Sequence, residues 1–171
     1  MYGHAYTPAT ISNMTKMVEE NVTAFHQRPL NKRYTVIYCD ATYLNVRRDS
    51  VSKEALHILL GITPEGFKEI IFFRLYPTES SENYKEMLRD IQQRGVEEVL
   101  LFVSDGLRGL TESCLSVFPK AQYQPCWVHI TRNVLRLVRA KDKAEIASSL
   151  KEVYQASRGE ETQLRLQEFI Q

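Results

Sequence analysis

Apolar residues in the segment 1–30 follow a helical period. Ile11, Met14 and Val18 fall at the i, i+3 and i+7 spacing of one helix face, and Thr7 followed by Pro8 suits its start. The opposite face presents small polar residues and a lysine, which are Thr10, Asn13 and Lys16. Such a face suits a DNA-recognition helix, although many amphipathic surface helices share it and a complete helix-turn-helix needs another helix.

Beyond this segment, short β-prone runs replace the helical pattern. Three runs predict strands that meander, at 34–39, 55–62 and 68–75. Two later runs, at 99–103 and 121–124, alternate with helical segments. The predicted order is β-β-β-α-β-α-β-α, which indicates an α/β domain with a mixed five-stranded sheet and flanking helices.

Four predicted helices follow the meander. Ser80 or Ser81 caps the first, whose apolar face ends at Gly95. Asp105-Gly106 is expected to open the second helix, and Pro119 to stop it. A third begins near Cys126, and the polar stretch 142–170 is predicted as a helix with an apolar face of its own.

Two aspartates stand where apolar runs stop. Asp40 follows the run 34–39, and Asp105 follows the run that ends at Ser104. If these strands pair as parallel neighbours, their carboxyl ends lie together and both side chains face one crevice. Two adjacent carboxylates suit a divalent cation such as Mg²⁺, and this points to phosphoryl transfer on nucleotides or nucleic acid.

A simpler interpretation of these aspartates is also available. An aspartate after a strand is often a turn residue or a helix N-cap, and Asp105-Gly106 alone would fit that role. Asp40 is harder to explain in this way, because Tyr43, Leu44 and Val46 continue a strand-like pattern after it.

Composition and charge place limits on the class of protein. The 171 residues suit one globular domain with a small appendage, and 43% hydrophobic and 25% charged residues are typical of a soluble protein. The sequence shows no signal peptide and no long apolar run, and its three cysteines cannot all pair internally. These features favour the reducing cytoplasm as the compartment.

The net charge of +1 is unevenly distributed. Between His129 and Lys143 the basic residues outnumber the acidic ones, with only Asp142 opposing them. The basic residues that we nominate as DNA contacts are Arg132, Arg136 and Arg139. This run predicts a local basic helix, whose other interpretation is an ordinary solvated helix face.

Cys126 and His129 are three residues apart at a predicted helix start. On one helix face, His129 could contact a phosphate or orient a carboxylate, with Trp127 packed inward and Cys126 partly buried. A zinc site is the alternative, but it requires four ligands. Cys39, Cys114 and the other histidines show no second paired spacing.

Three motifs give the chain a resemblance to a known family. They are Asp40-Ala41-Thr42-Tyr43, Ser104-Asp105-Gly106-Leu107-Arg108-Gly109-Leu110 and Cys126-Trp127-Val128-His129. With Arg28-Pro29-Leu30 and Ile11-Ser12, they resemble the Mutator-type bacterial insertion-sequence transposases along almost the whole chain. The predicted layout, with an aspartate on the first and fourth strands, is that of ribonuclease H-like nucleases, in which those two strands are neighbours.

The resemblance implies roles for individual residues. Asp40 and Asp105 match the first two members of the acidic triad that holds two Mg²⁺ ions in these DDE enzymes, and so are the implied catalytic and metal-binding residues. Cys126 and His129 match a Cys-x-x-His signature beside the active site. The implied partners are double-stranded DNA, at the transposon ends and the target, and full-length transposase through self-association; no membrane partner is implied.

The resemblance also implies a division of the chain. Residues 1–30 are expected to be the remnant of a DNA-binding module with its linker. Residues 31–140 would form an incomplete ribonuclease H-like core, and residues 141–171 would start a helical insertion domain. The family's third acidic residue lies beyond that insertion, and the glutamates of the last segment suit a helix surface instead. We therefore expect a chain truncated at both ends and inactive alone.

Two other functions remain open from the sequence. One is a non-catalytic fragment that binds DNA or a full-length transposase. The other is a complete small ribonuclease H-like nuclease, which is disfavoured because no further carboxylate on a convincing helix start completes a metal site.

Overall fold

The computed structural model describes residues 7–47, 49–107 and 109–170. The positions of Met1 to Tyr6, Arg48 and Arg108 lie outside these described residues, and so does part of the expected DNA-binding remnant. The helices are α1 (Pro8–Gln27), α2 (Ser81–Gln93), α3 (Leu110–Val117), α4 (Trp127–Leu137), α5 (Lys143–Gln155) and α6 (Gly159–Ile170). The strands are β1 (Arg33–Arg47), β2 (Val51–Ile62), β3 (Lys68–Tyr76), β4 (Glu98–Ser104) and β5 (Gln122–Pro125).

The five strands form one mixed sheet in the order β3-β2-β1-β4-β5. The first three strands meander with antiparallel pairing, whereas β4 runs parallel to β1 and β5 runs parallel to β4. The predicted fold class is therefore confirmed, since the first and fourth strands are neighbours as in the ribonuclease H-like arrangement. A parallel neighbour requires a crossover, which here passes through β2, β3 and α2.

The core lies where α2 and α3 pack against the sheet. The face of α2 that the sequence predicted is fully buried, with Tyr84, Met87, Leu88 and Ile91 at 0% exposure. Leu110 and Cys114 of α3 join the same cluster. Each fully buried side chain of this size contributes about 1.5–3 kcal/mol relative to leaving it in water, so this layer holds the crossover in place.

Two boundaries around the predicted acidic site differ from the sequence-based expectation. β1 does not end at Cys39, because its antiparallel pairing with β2 continues to the pair Arg47 and Val51. Asp105-Gly106 does not open a helix either. Gly106 and Gly109 both have left-handed backbone angles, with φ of 88° and 81°, which delay the start of α3 until Leu110.

The stretch 142–170 is not one helix. It is divided into α5 and α6, because Ala156 is extended, with φ of −58° and ψ of 132°. Both the backbone N–H and the hydroxyl of Ser157 donate to the Glu161 carboxylate, each at 3.3 Å. This local capping interaction satisfies a donor at the start of α6 and favours the break.

Arg94 connects the end of α1 to the sheet. Its side chain is 8% exposed, and its guanidinium donates to the carbonyl oxygens of Phe25, Arg28 and Ile71 at 2.9–3.1 Å. It also donates to the Asp90 carboxylate at 3.1 Å, which partly balances its buried charge. Two backbone segments, the end of α1 and β3, therefore share one cation.

Replacing Arg94 by Met should lower the free energy of unfolding by about 3 kcal/mol, because the three carbonyl groups lose their donor and Asp90 loses its partner. For a chain of this size the melting temperature should fall by roughly 6–12 °C. Thermal and urea unfolding would measure both quantities. Arg89→Met is the matched control, since Arg89 is an exposed residue of the same helix; equal losses in the two variants would contradict the role of Arg94.

Tyr34 and Glu69 form a second buried contact near the start of the sheet. Tyr34 is 0% exposed, and its hydroxyl donates to a Glu69 carboxylate oxygen at 2.6 Å. Burial, and then this hydrogen bond, raise the pKa of Tyr34 to about 12 from its usual 10.0. Although burial alone would raise the pKa of Glu69, hydrogen bonds from Tyr34, Arg28 and Asn31 leave it below the usual value. Gly61 is needed here, because a Cβ would lie 2.6 Å from the Tyr34 ring.

The raised pKa of Tyr34 predicts an alkaline loss of stability. Because the folded state holds the phenol proton more tightly, this contribution is fully present below pH 10 and is lost as the pH rises towards about 12. The loss should be on the order of 2 kcal/mol. Urea unfolding between pH 8 and about 12 would measure it. Tyr34→Phe should be less stable at neutral pH and show a flatter alkaline profile, whereas Tyr38→Phe, at a half-exposed tyrosine of the same strand, should keep the wild-type profile.

Candidate active site

The register of β1 and β4 sets the position of the two aspartates. The last parallel pair is Cys39 with Ser104, and Asp40 and Asp105 are the residues that directly follow this pair. The negative charges of both carboxylates affect the pKa of the buried Cys39 thiol. Its pKa is raised by a hydrogen bond with Cys114, by burial, and then by the negative charges of Asp105 and Asp40. The structure thus places both nominated aspartates at the carboxyl end of the same strand pair.

Both aspartate side chains are accessible to solvent. Asp40 lies inside β1, opposite Ile58 of β2, and its carboxylate accepts a hydrogen bond from the Ala41 N–H at 2.9 Å. Asp105 follows the end of β4, and its carboxylate accepts from the Leu107 N–H at 3.3 Å. This last contact is that of a turn residue, so Asp105 has the turn role and is not a helix N-cap. Among the residues that the structure describes, neither carboxylate uses its second oxygen in a hydrogen bond.

The junction between β5 and α4 is fixed to the end of β4. The Cys126 N–H donates to the Ser104 carbonyl oxygen at 2.6 Å, and the hydroxyls of Ser104 and Tyr123 lie 2.5 Å apart. Cys126 is half-buried, as predicted, and is the N-cap residue of α4 without a side-chain capping bond. Because Cys126 is held beside Ser104, the first turn of α4 lies next to the aspartates.

His129 extends from that first turn towards Asp40. Its Nε2 lies 3.9 Å from an Asp40 carboxylate oxygen, too far for a direct hydrogen bond but close enough for electrostatic interaction. Its Nδ1 is buried and has no hydrogen-bond partner within the described part of the chain. The imidazole is therefore positioned to face the carboxylate with one nitrogen.

Glu79 is a neighbour of the site that the sequence did not reveal. Its two carboxylate oxygens accept hydrogen bonds from the hydroxyls of Tyr43 and Tyr84, each at 3.2 Å. The charge of Glu79, and more weakly that of Asp105, raises the pKa of Tyr43. Glu79 lies in the connection between β3 and α2, and no spacing signal marks it because only the fold brings this connection to the site.

A buried histidine lies behind the site. His57 of β2 is 0% exposed, and its ring packs edge-on against Tyr76 and Tyr84, at 5.3 Å and 4.8 Å between centroids. Neither ring nitrogen has a hydrogen-bond partner among the residues described. Burial lowers the pKa of His57, and the charge of Asp105 only partly opposes this effect. The ring is therefore a neutral packing group.

The nominated basic residues are exposed but do not share one helix. Arg132 and Arg136 lie on α4, which ends at Leu137, whereas Arg139 precedes a short 3₁₀ turn, Ala140–Asp142. The predicted single basic helix is therefore wrong, since Val138 and Arg139 have extended backbones. Within the described ranges, no carboxylate lies within 4.0 Å of these guanidinium groups, which leaves them available to anions.

The residues of α1 that the sequence nominated for DNA binding lie away from the basic residues of α4. Asn13 and Lys16 are exposed, whereas Thr10 takes part in the cap of α1, with its N–H donating to the Thr7 hydroxyl at 3.2 Å. The end of α1 packs on the β3 edge of the sheet, where the rings of Phe25 and Phe73 are 4.8 Å apart. By contrast, α4 follows β5, which is the strand at the opposite edge of the sheet. The basic residues of α4 and the residues nominated on α1 therefore belong to elements at opposite edges of the sheet.

The donor set of the site is incomplete for a structural metal centre. No group of three or more His, Cys, Asp or Glu side chains in the described ranges is placed to hold one ion. This finding gives no support to the zinc alternative at Cys126 and His129. The described helices also include none that is long and apolar enough to cross a membrane.

Comparison with known proteins supports the resemblance that the sequence motifs indicated. A family model described as "Transposase, Mutator family" matches residues 1–171. The chain belongs to this family. It is 42% identical over 170 residues to the transposase for insertion sequence element IS905 of Lactococcus lactis, a match that covers 99% of this chain and 44% of the relative.

Two further transposases match over most of this chain. The transposase for IS1201 of Lactobacillus helveticus is 39% identical over 155 residues, which cover 91% of this chain and 42% of that protein. The transposase for IS256 in Tn4001 of Staphylococcus aureus is 28% identical over 154 residues, which cover 89% and 40% respectively. This Mutator-family chain thus spans less than half the length of these relatives.

Proposed function

We propose that this chain supplies the first two carboxylates of a DDE transposase active site, which cleaves and joins DNA strands at transposon ends. The observation that carries the proposal is the register of β1 and β4, which makes Asp40 and Asp105 adjacent beyond their last shared pair. Transposases act on DNA, and a pair of accessible carboxylates at the end of a parallel strand pair suits metal-assisted phosphoryl transfer.

The donor chemistry of the site fits Mg²⁺. Asp40 and Asp105 would hold it, because it prefers oxygen ligands and commonly uses one or two carboxylates together with substrate phosphates. When bound, such ions would activate water or a DNA 3′ hydroxyl and stabilise the leaving oxygen. His129 would orient the Asp40 carboxylate or contact a phosphate, and Cys126 would hold the first turn of α4 in place for it.

By itself the chain would lack strand cleavage. Two carboxylates would bind one ion weakly, and among the described residues no third His, Cys, Asp or Glu is placed to complete a metal-binding group with them. Loss of even an outer partner of a metal site costs about 10- to 100-fold in affinity or activity. We therefore propose that the full reaction needs a further carboxylate, and magnesium-dependent cleavage of transposon-end DNA by the purified chain would contradict this part of the proposal.

A non-catalytic role as a transposase-binding fragment is the second candidate. It is favoured by the exposed apolar face of α1, where Met14, Met17 and Val18 are 49%, 62% and 59% exposed. A full-length transposase would be the partner. Binding through this face should change little with salt, unlike contacts to phosphates.

The first test of the proposal replaces Asp40 by Asn and measures the binding of Mn²⁺, as a spectroscopic substitute for Mg²⁺, by titration calorimetry or electron paramagnetic resonance. Binding should weaken at least about tenfold, because half of the carboxylate pair is lost. DNA affinity should stay the same or rise, since a negative charge is removed. Asp49→Asn, an equal charge change at an exposed residue of the β1–β2 turn, should leave Mn²⁺ binding unchanged; equal loss in both variants would refute the assignment.

The second test measures how DNA binding depends on salt. The logarithm of the binding constant should fall linearly with the logarithm of salt concentration, by about 0.9 for each phosphate neutralised. Arg136→Ala and Arg139→Ala should each lower that slope by about one unit, because each guanidinium is exposed and has no acidic partner in the described part of the chain. Fluorescence anisotropy with labelled duplex DNA would measure the slope. Arg89→Ala, which removes the same charge from α2, should not alter it; a slope unchanged in all variants would exclude this basic surface as the DNA contact.

A further inference from the structure

A shallow aromatic groove lies between α4 and α5. It has a volume of about 380 Å³ and is lined by Trp127, Val128, Thr131, Arg132 and Tyr154. The ring centroids of Trp127 and Tyr154 are 6.2 Å apart, with an angle of 42° between the ring planes. We call these five residues the α4–α5 groove.

The α4–α5 groove is not part of the core. The sequence-based expectation that Trp127 packs inward is wrong, because its side chain is only half-buried, while Val128 and Tyr154 are 53% and 48% exposed. The neighbouring residues Leu150 and Val153 of α5 are 2% and 1% exposed. Leu150, Val153 and Tyr154 follow the i, i+3 and i+4 spacing of one helix face, so Tyr154 lies at the edge of the packed face of α5 and leaves part of its ring in solvent, at a cost in apolar hydration.

The groove begins beside the candidate active site. Trp127 directly follows Cys126, whose N–H is bonded to the carbonyl of Ser104, the residue before Asp105. On α4, His129 faces Asp40, and Trp127 points about 200° around the helix axis from it. Because a helix with its side chains is about 10–12 Å across, the groove and the carboxylates lie on two sides of one helix start. A DNA strand held at the carboxylates would therefore pass the start of α4 to reach the groove.

The chemistry of the groove matches a nucleotide. Aromatic faces stack on bases, and stacking contributes about 1–3 kcal/mol per base. Arg132 adds a cation at the edge of the groove, and its described lining contains no carboxylate that would repel a phosphate. A protein partner fits less well, because a stable protein interface needs on the order of 1,000 Å² of buried surface and this groove has only five lining residues.

We propose that the α4–α5 groove binds an unpaired base of the DNA strand held at the active site. The base stacks on Trp127 with Tyr154 at its edge, and Arg132 contacts the adjacent phosphate. A paired base is already stacked on both faces inside the duplex, so the groove selects a base that is single-stranded or displaced. This inference rests on the proposed function, since DNA must occupy the acidic site for the base to reach the groove.

Trp127 is the single tryptophan of the chain, and its fluorescence therefore reports on this groove directly. The full chain is titrated with three DNA probes: a fully paired duplex, the same duplex with a short thymine overhang, and the same overhang without its bases. The thymine overhang should quench Trp127 and bind about 5- to 150-fold more tightly than the paired duplex, the range that one stacked base provides. The abasic overhang should lose both effects.

Variants separate the groove from general DNA binding. Tyr154→Ala should reduce the preference for the overhang while leaving affinity for the paired duplex unchanged, and Tyr154→Phe should retain it because the ring remains. Phe67→Ala is the matched control, because Phe67 is a 72% exposed aromatic residue in the turn between β2 and β3, at the other end of the sheet. Circular dichroism spectra that match the wild type would confirm that each variant is folded.

Three outcomes would overturn the inference. Equal affinity for the paired and overhang probes, with unchanged Trp127 fluorescence, would refute the groove and leave the proposed function standing. Failure to bind any DNA probe would refute both. Concentration-dependent shielding of Trp127 without DNA would show that a second copy of the chain covers the groove.

Discussion

The parallel pairing of β1 with β4 is the interaction on which the remaining structure depends. It brings together two strands that are separated in the chain by β2, β3 and α2, and it ends at Cys39 and Ser104. The candidate active-site residues lie next to that last pair. Asp40 and Asp105 extend from it, and Cys126 is bonded to its Ser104 member, so α4 starts there. A change of one residue in this register would move one aspartate to the opposite face of the sheet.

Two buried clusters, both formed with residues of α2 or its C-cap, stabilise the part of the sheet that contains this pairing. Tyr84, Met87, Leu88 and Ile91 of α2 cover the sheet at the crossover. Arg94, at the end of the same helix, connects α1 and β3 through backbone carbonyl groups. The first cluster is apolar and tolerates similar shapes, whereas the second depends on the geometry of one guanidinium. The sheet and the amino-terminal helix are therefore joined by interactions of different kinds.

The sequence predicted what depends on local pattern. Apolar runs located the strands, the spacing around Leu88 gave the buried face of α2, and Asp40 and Asp105 were nominated because each follows such a run. What it did not predict depends on distant partners or on backbone conformation. β1 extends to Arg47 because β2 pairs with it, and α3 starts late because Gly106 and Gly109 are left-handed. Glu79 and the half-buried position of the Trp127 ring carry no periodic signal, since only the assembled fold gives them their neighbours.

The extra length of β1 gives Asp40 an unusual mechanical position. Before Asp40 the strand has neighbours on both sides, and after it β1 pairs with β2 alone, as a hairpin that ends near Val51. A two-stranded ribbon twists and bends more easily than a wide sheet. The hairpin of roughly 20 Å, at 3.3 Å per residue from Thr42 to Arg47, therefore begins next to the carboxylate, where the five-stranded sheet narrows to two strands. Asp40 thus stands within a continuous strand where the wide sheet narrows, whereas Asp105 directly follows the end of β4, so the two acids are held by different backbone constraints.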